Sequence, residues 1–333
     1  MNPILVELLR GEVNESFHRG VVCVVNSTNE IVFSRGDVTQ VCYPRSAMKL
    51  FQHIPLIVSG AFNHYNFTLQ ELAVMCGSHN GELMHMEVVD AILKKIGLSE
   101  SNLKCGAQAP TLKSDLYQLI KNDLKPRQLH NNCSGKHAGF LAYCTFKGLN
   151  FDEYIADNSE LQKEIKKVVS IFYEFPEDEL KCGMDGCSAP TFAMPVLNQA
   201  IAFKNLISPA AHIPQEYKKA AEIIVSACSE FPEMLAGTNR YCTDLIKITQ
   251  GRIIGKTGAD GVYCIADKQK NLGISIKIDD GKMGPQYQVA QELLSHLDLI
   301  SPEEIKQLEP YHEFELSNFS GNIVGKSVAV NFE

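Results

Sequence analysis

Apolar residues along this chain follow two different rhythms. Near the start they form short stretches at Ile4–Leu9, Gly20–Val25 and Ile31–Phe33, with the polar run Asn26-Ser27-Thr28-Asn29 between the last two. That pattern predicts strands, one pair of them joined by a polar turn. From Pro44 onward the apolar spacing changes to three and four residues. Helices are predicted over Ser46–Ser59, Leu69–Met75 and Met86–Ile96. More follow at Lys136–Phe146, at Glu160–Phe172 behind the cap candidate Ser159, at Gln215–Cys228 after Pro214, and at Tyr241–Thr249. Strands return at Arg252–Lys256, Gly261–Asp267 and Gly273–Asp279. They are separated by Thr257–Asp260 and Lys268–Asn271 in the manner of a meander, and a helix is predicted over Pro285–Leu297.

Strands at both ends enclosing a helical middle predict an α+β fold. Its antiparallel sheet would be built from the N- and C-terminal segments, 1–45 and 250–333, and flanked by helices, with 46–249 forming a mainly helical subdomain. No internal repeat or long linker interrupts the chain, so 1–333 reads as a single unit, and a site is expected in the cleft between its two parts.

Composition narrows the classes. A hydrophobic content of 45% with 21% charged residues excludes fibrous and disordered chains. The longest apolar runs, such as Gly20–Val25 and Ile54–Val58, fall far short of the roughly 20 residues that span a bilayer, so no membrane partner is expected. A net charge of −8 without an arginine-rich run argues against nucleic acid. Eleven cysteines lack the spacing of a disulfide scaffold, and Met1–Gly20 lacks the features of a signal peptide. A reduced, cytoplasmic protein is expected. With neither G-x-G-x-x-G nor G-x-x-x-x-G-K-[ST], no nucleotide cofactor is expected.

Three constellations could carry chemistry. Ser46-Ala47-Met48-Lys49 places a hydroxyl and an amine three residues apart on one helical face. A lysine can activate a serine if an apolar setting disfavours its charge, and Met48, Leu50 and Phe51 supply one; the bland alternative is a solvated helix. Gly255-Lys256-Thr257-Gly258 lies on a predicted strand, where the alternative is a hairpin lysine facing solvent. S-x-x-K early and K-T-G late is the order found in serine-lysine acyl-transfer enzymes. Cys76-Gly77-Ser78-His79-Asn80 stands where such enzymes carry a third element, and Ser78 could pair with Lys256, or be only a turn residue. The third constellation is Asn131-Asn132-Cys133-Ser134-Gly135-Lys136-His137 with Cys182-Gly183-Met184-Asp185-Gly186-Cys187. Cys133 and Cys187 could hold a zinc ion with an N or O donor and water, or be ordinary buried thiols. No H-E-x-x-H or G-x-S-x-G pattern is present, which disfavours a metalloprotease and a Ser-His-Asp hydrolase.

Taken in order, Pro44-Arg45-Ser46-Ala47-Met48-Lys49, Cys76-Gly77-Ser78-His79-Asn80-Gly81-Glu82, Asn131 to His137, Asp185-Gly186-Cys187-Ser188-Ala189-Pro190 and Gly255-Lys256-Thr257-Gly258-Ala259-Asp260-Gly261-Val262 resemble the motifs of the asparaginase II family, of the thermolabile type. The resemblance runs from about Leu5 to His296. It implies a fold similar to serine β-lactamases and penicillin-binding proteins, a homodimer, and hydrolysis of L-asparagine to L-aspartate and ammonia. By the same resemblance Ser46 would be the nucleophile with Lys49 as its activating lysine, and Ser78 with Lys256 a second tandem. Cys133, Lys136 and Cys187 would hold zinc beside the substrate, in a positioning role. Arg45, His137 and Asp185 would hold the α-amino and α-carboxyl groups. Two rivals stand beside this reading. One is another serine-lysine hydrolase, such as a β-lactamase, esterase or D-amino-acid peptidase, and the other is a non-catalytic zinc- or amino-acid-binding protein.

Overall fold

The computed structural model describes residues 1–332, which divide into two compact units. The first comprises Met1–Ala47, Met194–Ser208 and the chain from Asp244 onward, and the second Met48–Ala193 and Pro209–Thr243. In chain order the strands are β1 (Ile4–Arg10), β2 (Val13–Val25), β3 (Ile31–Arg35), β4 (Val41–Cys42), β5 (Lys181–Met184), β6 (Pro190–Pro195), β7 (Ile253–Gly258), β8 (Val262–Asp267), β9 (Leu272–Ile278), β10 (Glu313–Ser317) and β11 (Ile323–Ala329).

The first unit is the expected antiparallel sheet, assembled from both ends of the chain in the order β10-β11-β1-β2-β9-β8-β7, with β3 also paired to β2. The last six residues of β2, Gly20–Val25, are buried, because helices cover both faces there. Alternation along the strand sends Val21, Cys23 and Val25 to one face, where they pack with Cys42, Val196, Ala200 and Ile201. Val22 and Val24 point to the other. Their row continues through Ile276 to Tyr263, whose ring meets Tyr287 of the helix Met283–His296. The helix Val196–Ile207 lies on the first face so tightly that a Cβ on Gly273 would sit 2.0 Å from the carbonyl oxygen of Ala200. No sequence signal predicted this helix, nor the exposed pair β10–β11, nor the helices Lys113–Lys121 and Pro302–Leu308.

The second unit is helical. Leu69–Met75 has the predicted bounds and is fixed by a capping box: Thr68 Oγ1 accepts from the Glu71 N–H, while Glu71 accepts from the Thr68 N–H. Ser159 caps Glu160–Tyr173 as expected, accepting from the Gln162 N–H. Ser134–Lys147 is buried from Ser134 through Cys144, an all-round burial that only a central helix can have. The helix predicted over Ser46–Ser59 is instead broken. A 3₁₀ turn Arg45–Met48 leads into Lys49–Gln52, and a second helix, Ile54–Val58, begins after His53. Pro55 has no N–H to offer the preceding turn, so the ladder cannot run through it. Among the described residues no helix is long and apolar enough to cross a membrane.

Gly273→Ala is expected to destabilise the protein by about 2 kcal/mol or more, since the new methyl meets backbone that cannot move aside alone. Chemical denaturation measures it. A loss under about 0.5 kcal/mol would show that the helix does not press on the sheet as described.

Candidate active site

Two loops in the helical unit close around one amine. Lys49 is fully buried, and its Nζ donates to the carbonyl oxygens of Gly77 at 2.6 Å and Asn132 at 3.2 Å, and lies 3.0 Å from Ser78 Oγ. Ser78 is thus held by Lys49, a partner that the sequence did not suggest for it. The loop carrying Ser78 is rigid for identifiable reasons. The Ser78 N–H donates to the Leu235 carbonyl at 2.8 Å, and the Gly81 N–H donates to His79 Nδ1 at 3.1 Å. That leaves His79 Nε2 as the proton-bearing nitrogen, which donates to Ser134 Oγ at 3.0 Å, and the Ser134 hydroxyl passes the chain on to the Leu129 carbonyl. His79 therefore ties the Ser78 loop to the start of the helix Ser134–Lys147. It stacks on His85 at 4.8 Å between ring centroids. Asn80 is a strut: it donates to the Thr238 carbonyl and Glu82, and accepts from Arg240. Short-range spacing gave no hint of Thr238 or Arg240.

Cys133, Lys136 and Cys187 do come together. Lys136 is buried and donates to Cys187 Sγ at 2.9 Å. The Cys187 thiol hydrogen-bonds Cys133, which holds Cys133 well below the ordinary thiol range; burial opposes this and the charges of Lys49 and Lys136 assist it. The donating thiol of Cys187 is correspondingly pushed up, by that bond and by burial. Burial works against the Lys136 charge, but attraction from Cys187, Cys133 and Asp185 outweighs it and the net direction is up. The arrangement is two hydrogen-bonded cysteine sulfurs with a lysine amine donating to one of them. Among the described residues no three His, Cys, Asp or Glu side chains group as a metal site. A metal here would need Lys136 as a ligand beside two sulfurs, and the lysine would have to give up its proton. Asp185 is only partly buried, its carboxylate accepting the Gly186 N–H at 2.8 Å, and a cleft of about 380 Å³ lined by Cys182, Met184, Ser188 and Pro190 adjoins its turn without including it.

His137, which by the resemblance would hold the substrate's α-groups, is fully buried. Tyr154 accepts the Lys104 N–H, and its hydroxyl lies 2.7 Å from His137 Nδ1. Burial, then the charges of Lys136 and Lys49, push His137 well below the usual imidazole range.

The remaining candidates belong to the sheet unit. Ser46 sits partly exposed in the Arg45–Met48 turn, and Arg45 forms an ion pair with Asp260. Lys256 is not a solvent-facing hairpin lysine. Its side chain is buried on the face that also carries Cys264, its register partner on β8, and its Nζ donates to the Thr257 carbonyl at 3.2 Å. Thr257 points the other way, its hydroxyl 3.1 Å from that of Tyr287.

The L-asparaginase II family model matches residues 6–329, nearly the whole chain. This chain belongs to the L-asparaginase II family. Membership makes it an asparaginase-type hydrolase, acting on amides. No curated protein sequence matches it significantly. Among solved structures, a β-lactamase from Mycobacterium bovis is similar at 12% identity and a TM-score of 0.41, over 83% of this asparaginase-family chain and 94% of that one. The protein Mglu in its L-glutamate binding form is similar at 11% identity and a TM-score of 0.48, over 90% of this chain and 65% of that one. This chain thus spans about two thirds of the length of Mglu in that form.

The buried histidines set a pH dependence of stability. Burial lowers His53 from 6.5 to about 4, so between those values the unfolded chain binds a proton that the folded one does not. Stability is therefore complete above about pH 6.5 and falls as pH drops toward 4, by about 3 kcal/mol from His53 alone. His85, His130 and His137 are lowered as well and act in the same direction. Denaturant midpoints measured from pH 7.5 to 4.5 are expected to fall steadily; a flat profile would contradict this account.

Proposed function

We propose that the protein hydrolyses L-asparagine to L-aspartate and ammonia through a serine ester. The observation that carries the reading is the buried contact between Lys49 Nζ and Ser78 Oγ, inside the motifs of an asparaginase family. Two carbonyls take two N–H groups of Lys49. For Lys49 to act as the base in this reading, the amine must give up one proton, and the lone pair so freed serves a serine hydroxyl.

In this reading Ser46, three residues before Lys49 on a continuous turn, loses its proton to Lys49 and attacks the side-chain amide carbon of asparagine. The C–N bond breaks, the departing nitrogen takes the proton from Lys49, and ammonia leaves. Water then adds to the β-aspartyl ester with Lys49 again receiving the proton, the acyl C–O bond to Ser46 breaks, and Ser46 Oγ takes that proton back from Lys49 as aspartate leaves. Ser78 hydrogen-bonds the base and fixes where the amine sits, and Lys256 is the second amine of the Ser-Lys pattern. Arg45 and Asp185 present opposite charges for the carboxylate and ammonium of the amino acid, and His137 is the remaining member of that set. In this reading zinc would be held by Cys133, Lys136 and Cys187 once Lys136 gives up its proton. Bound there, zinc would supply an electrophilic anchor for a substrate oxygen or nitrogen. The protein acts as a homodimer in the cytoplasm in this reading.

Purified protein is expected to release ammonia from L-asparagine. Ser46→Ala and Lys49→Met should each lower the rate by about 10³-fold or more, with the fold intact by circular dichroism. Chelation should leave the fold but raise KM, the mark of a positioning metal. No release from asparagine or glutamine by well-folded, zinc-supplied protein would overturn the assignment. Full activity in Ser46→Ala with none in Ser78→Ala would transfer the nucleophile to Ser78.

A further inference from the structure

We infer that Asp260 is a positioning residue, which acts through Arg45 to set the turn that carries Ser46. The inference rests on the reading of Ser46 as the nucleophile, and every contact it uses lies within the sheet unit.

Arg45 has φ of +52°. For a residue with a long side chain and no glycine-like freedom, the left-handed region is costly and persists only where surrounding contacts impose it. Arg45 immediately precedes Ser46 at the start of the 3₁₀ turn Arg45–Met48, so its backbone dihedrals decide where the Ser46 hydroxyl is aimed. Within the turn the Ala47 N–H donates to the Pro44 carbonyl at 3.1 Å. Two contacts from the β7–β8 hairpin add to it. The Arg45 guanidinium is paired through Nη1 with the Asp260 carboxylate. Beside it, the backbone of Gly258 approaches so closely that a Cβ there would lie 2.3 Å from the Pro44 carbonyl oxygen.

The hairpin is well built to act as the fixed partner. The pairing of Gly258 with Val262 leaves a three-residue connection, in which Asp260 at φ +58° and Gly261 at +77° both take the left-handed conformation. An Asp-Gly pair adopts this readily. The Asp260 carbonyl is held by Lys277 Nζ at 2.5 Å, and the same ammonium reaches the Ile278 carbonyl at 2.8 Å, so the backbone under Asp260 is tied to β9. The Asp260 side chain remains 68% exposed, whereas that of Arg45 is 23% exposed.

An ion pair this open contributes little to global stability. Its consequence is local: it holds a strained arginine in one conformation next to the reacting serine. A guanidinium has five N–H donors, so engagement at Nη1 is compatible with Arg45 also meeting a substrate carboxylate.

The test is Asp260→Asn, with Asp260→Glu as the conservative partner. Two rates are read: ammonia release from L-asparagine, and phosphonylation of Ser46 by a fluorophosphonate, followed by peptide mass spectrometry so that Ser78 is scored separately. Asp260→Asn is expected to lower kcat and the Ser46 phosphonylation rate by about 10- to 100-fold, with KM within about twofold of wild type. Its melting midpoint should stay within about 2 °C. Asp260→Glu should recover part of both rates. Unchanged rates in Asp260→Asn would overturn the inference. So would a fall in KM with kcat unchanged, because Asp260 would then merely compete with the substrate for Arg45. An equal loss in both variants accompanied by a lowered melting midpoint would make the residue structural and overturn it too. If wild type phosphonylates at Ser46 but releases no ammonia, the choice of substrate fails while the probe still decides the role of Asp260.

Discussion

A lysine amine sealed from water has to find its hydrogen-bond partners inside the protein, and the helical unit is arranged around that requirement for Lys49. Leaving such a group unpartnered costs several kcal/mol. Three groups meet it: the carbonyls of Gly77 and Asn132 and the hydroxyl of Ser78. None of the three is near Lys49 in sequence, so satisfying one side chain fixes two loops relative to the helix Lys49–Gln52. Each loop is then secured again by polar contacts of its own, through His79 to Ser134 and through Asn80 to Thr238 and Arg240. A serine beside a buried amine is in this sense a product of the packing rules for polar groups.

The same low-polarity interior explains the charge states around it. His53 and His137 are held neutral chiefly because a buried imidazolium would be unsolvated, and only secondarily because Lys136 and Lys49 are nearby. Cys133 goes the other way, despite equal burial, since a neighbouring thiol donates to its sulfur and two lysines attract its charge. Ionisation here follows specific partners. Lys136 donates to Cys187 and Cys187 hydrogen-bonds Cys133, so the three groups satisfy one another, and the same atoms form an S₂N donor set once the ammonium gives up its proton.

The parts of the fold that were legible in sequence are those with a local cause. The β-branched run Gly20–Val25, the meander from Ile253 to Ile278 and the capped helices behind Thr68 and Ser159 all carry their signals within a few residues. The helix Val196–Ile207 carries none: it follows β6 without a capping side chain, since Pro195 occupies the cap position, and its burial against the sheet removes the polar face that would reveal its period. Strands β10 and β11 were hidden for the opposite reason, being only partly buried and mixed in polarity, with β10 at the edge of the sheet. Around the candidate site the motifs themselves were visible, but not who would partner whom. Lys49 and Ser78 are separated by 29 residues, and no periodicity encodes a contact across that distance.

What short motifs do encode is the backbone that a contact will need. Gly258 stands where a methyl group would strike the Pro44 carbonyl, and Gly261 follows Asp260 in a connection that requires two consecutive left-handed residues. Arg45 breaks that rule, taking the left-handed region without being Gly, Asn or Asp. Local preference and observed conformation disagree there, next to a serine in a motif shared with serine-lysine hydrolases, and strain of this kind survives only when tertiary contacts impose it. Gly258 and Asp260 of the K-T-G-A-D-G segment therefore have one physical job in common. They let a hairpin come close enough to the Pro44–Met48 turn to hold a conformation that the turn would not keep by itself.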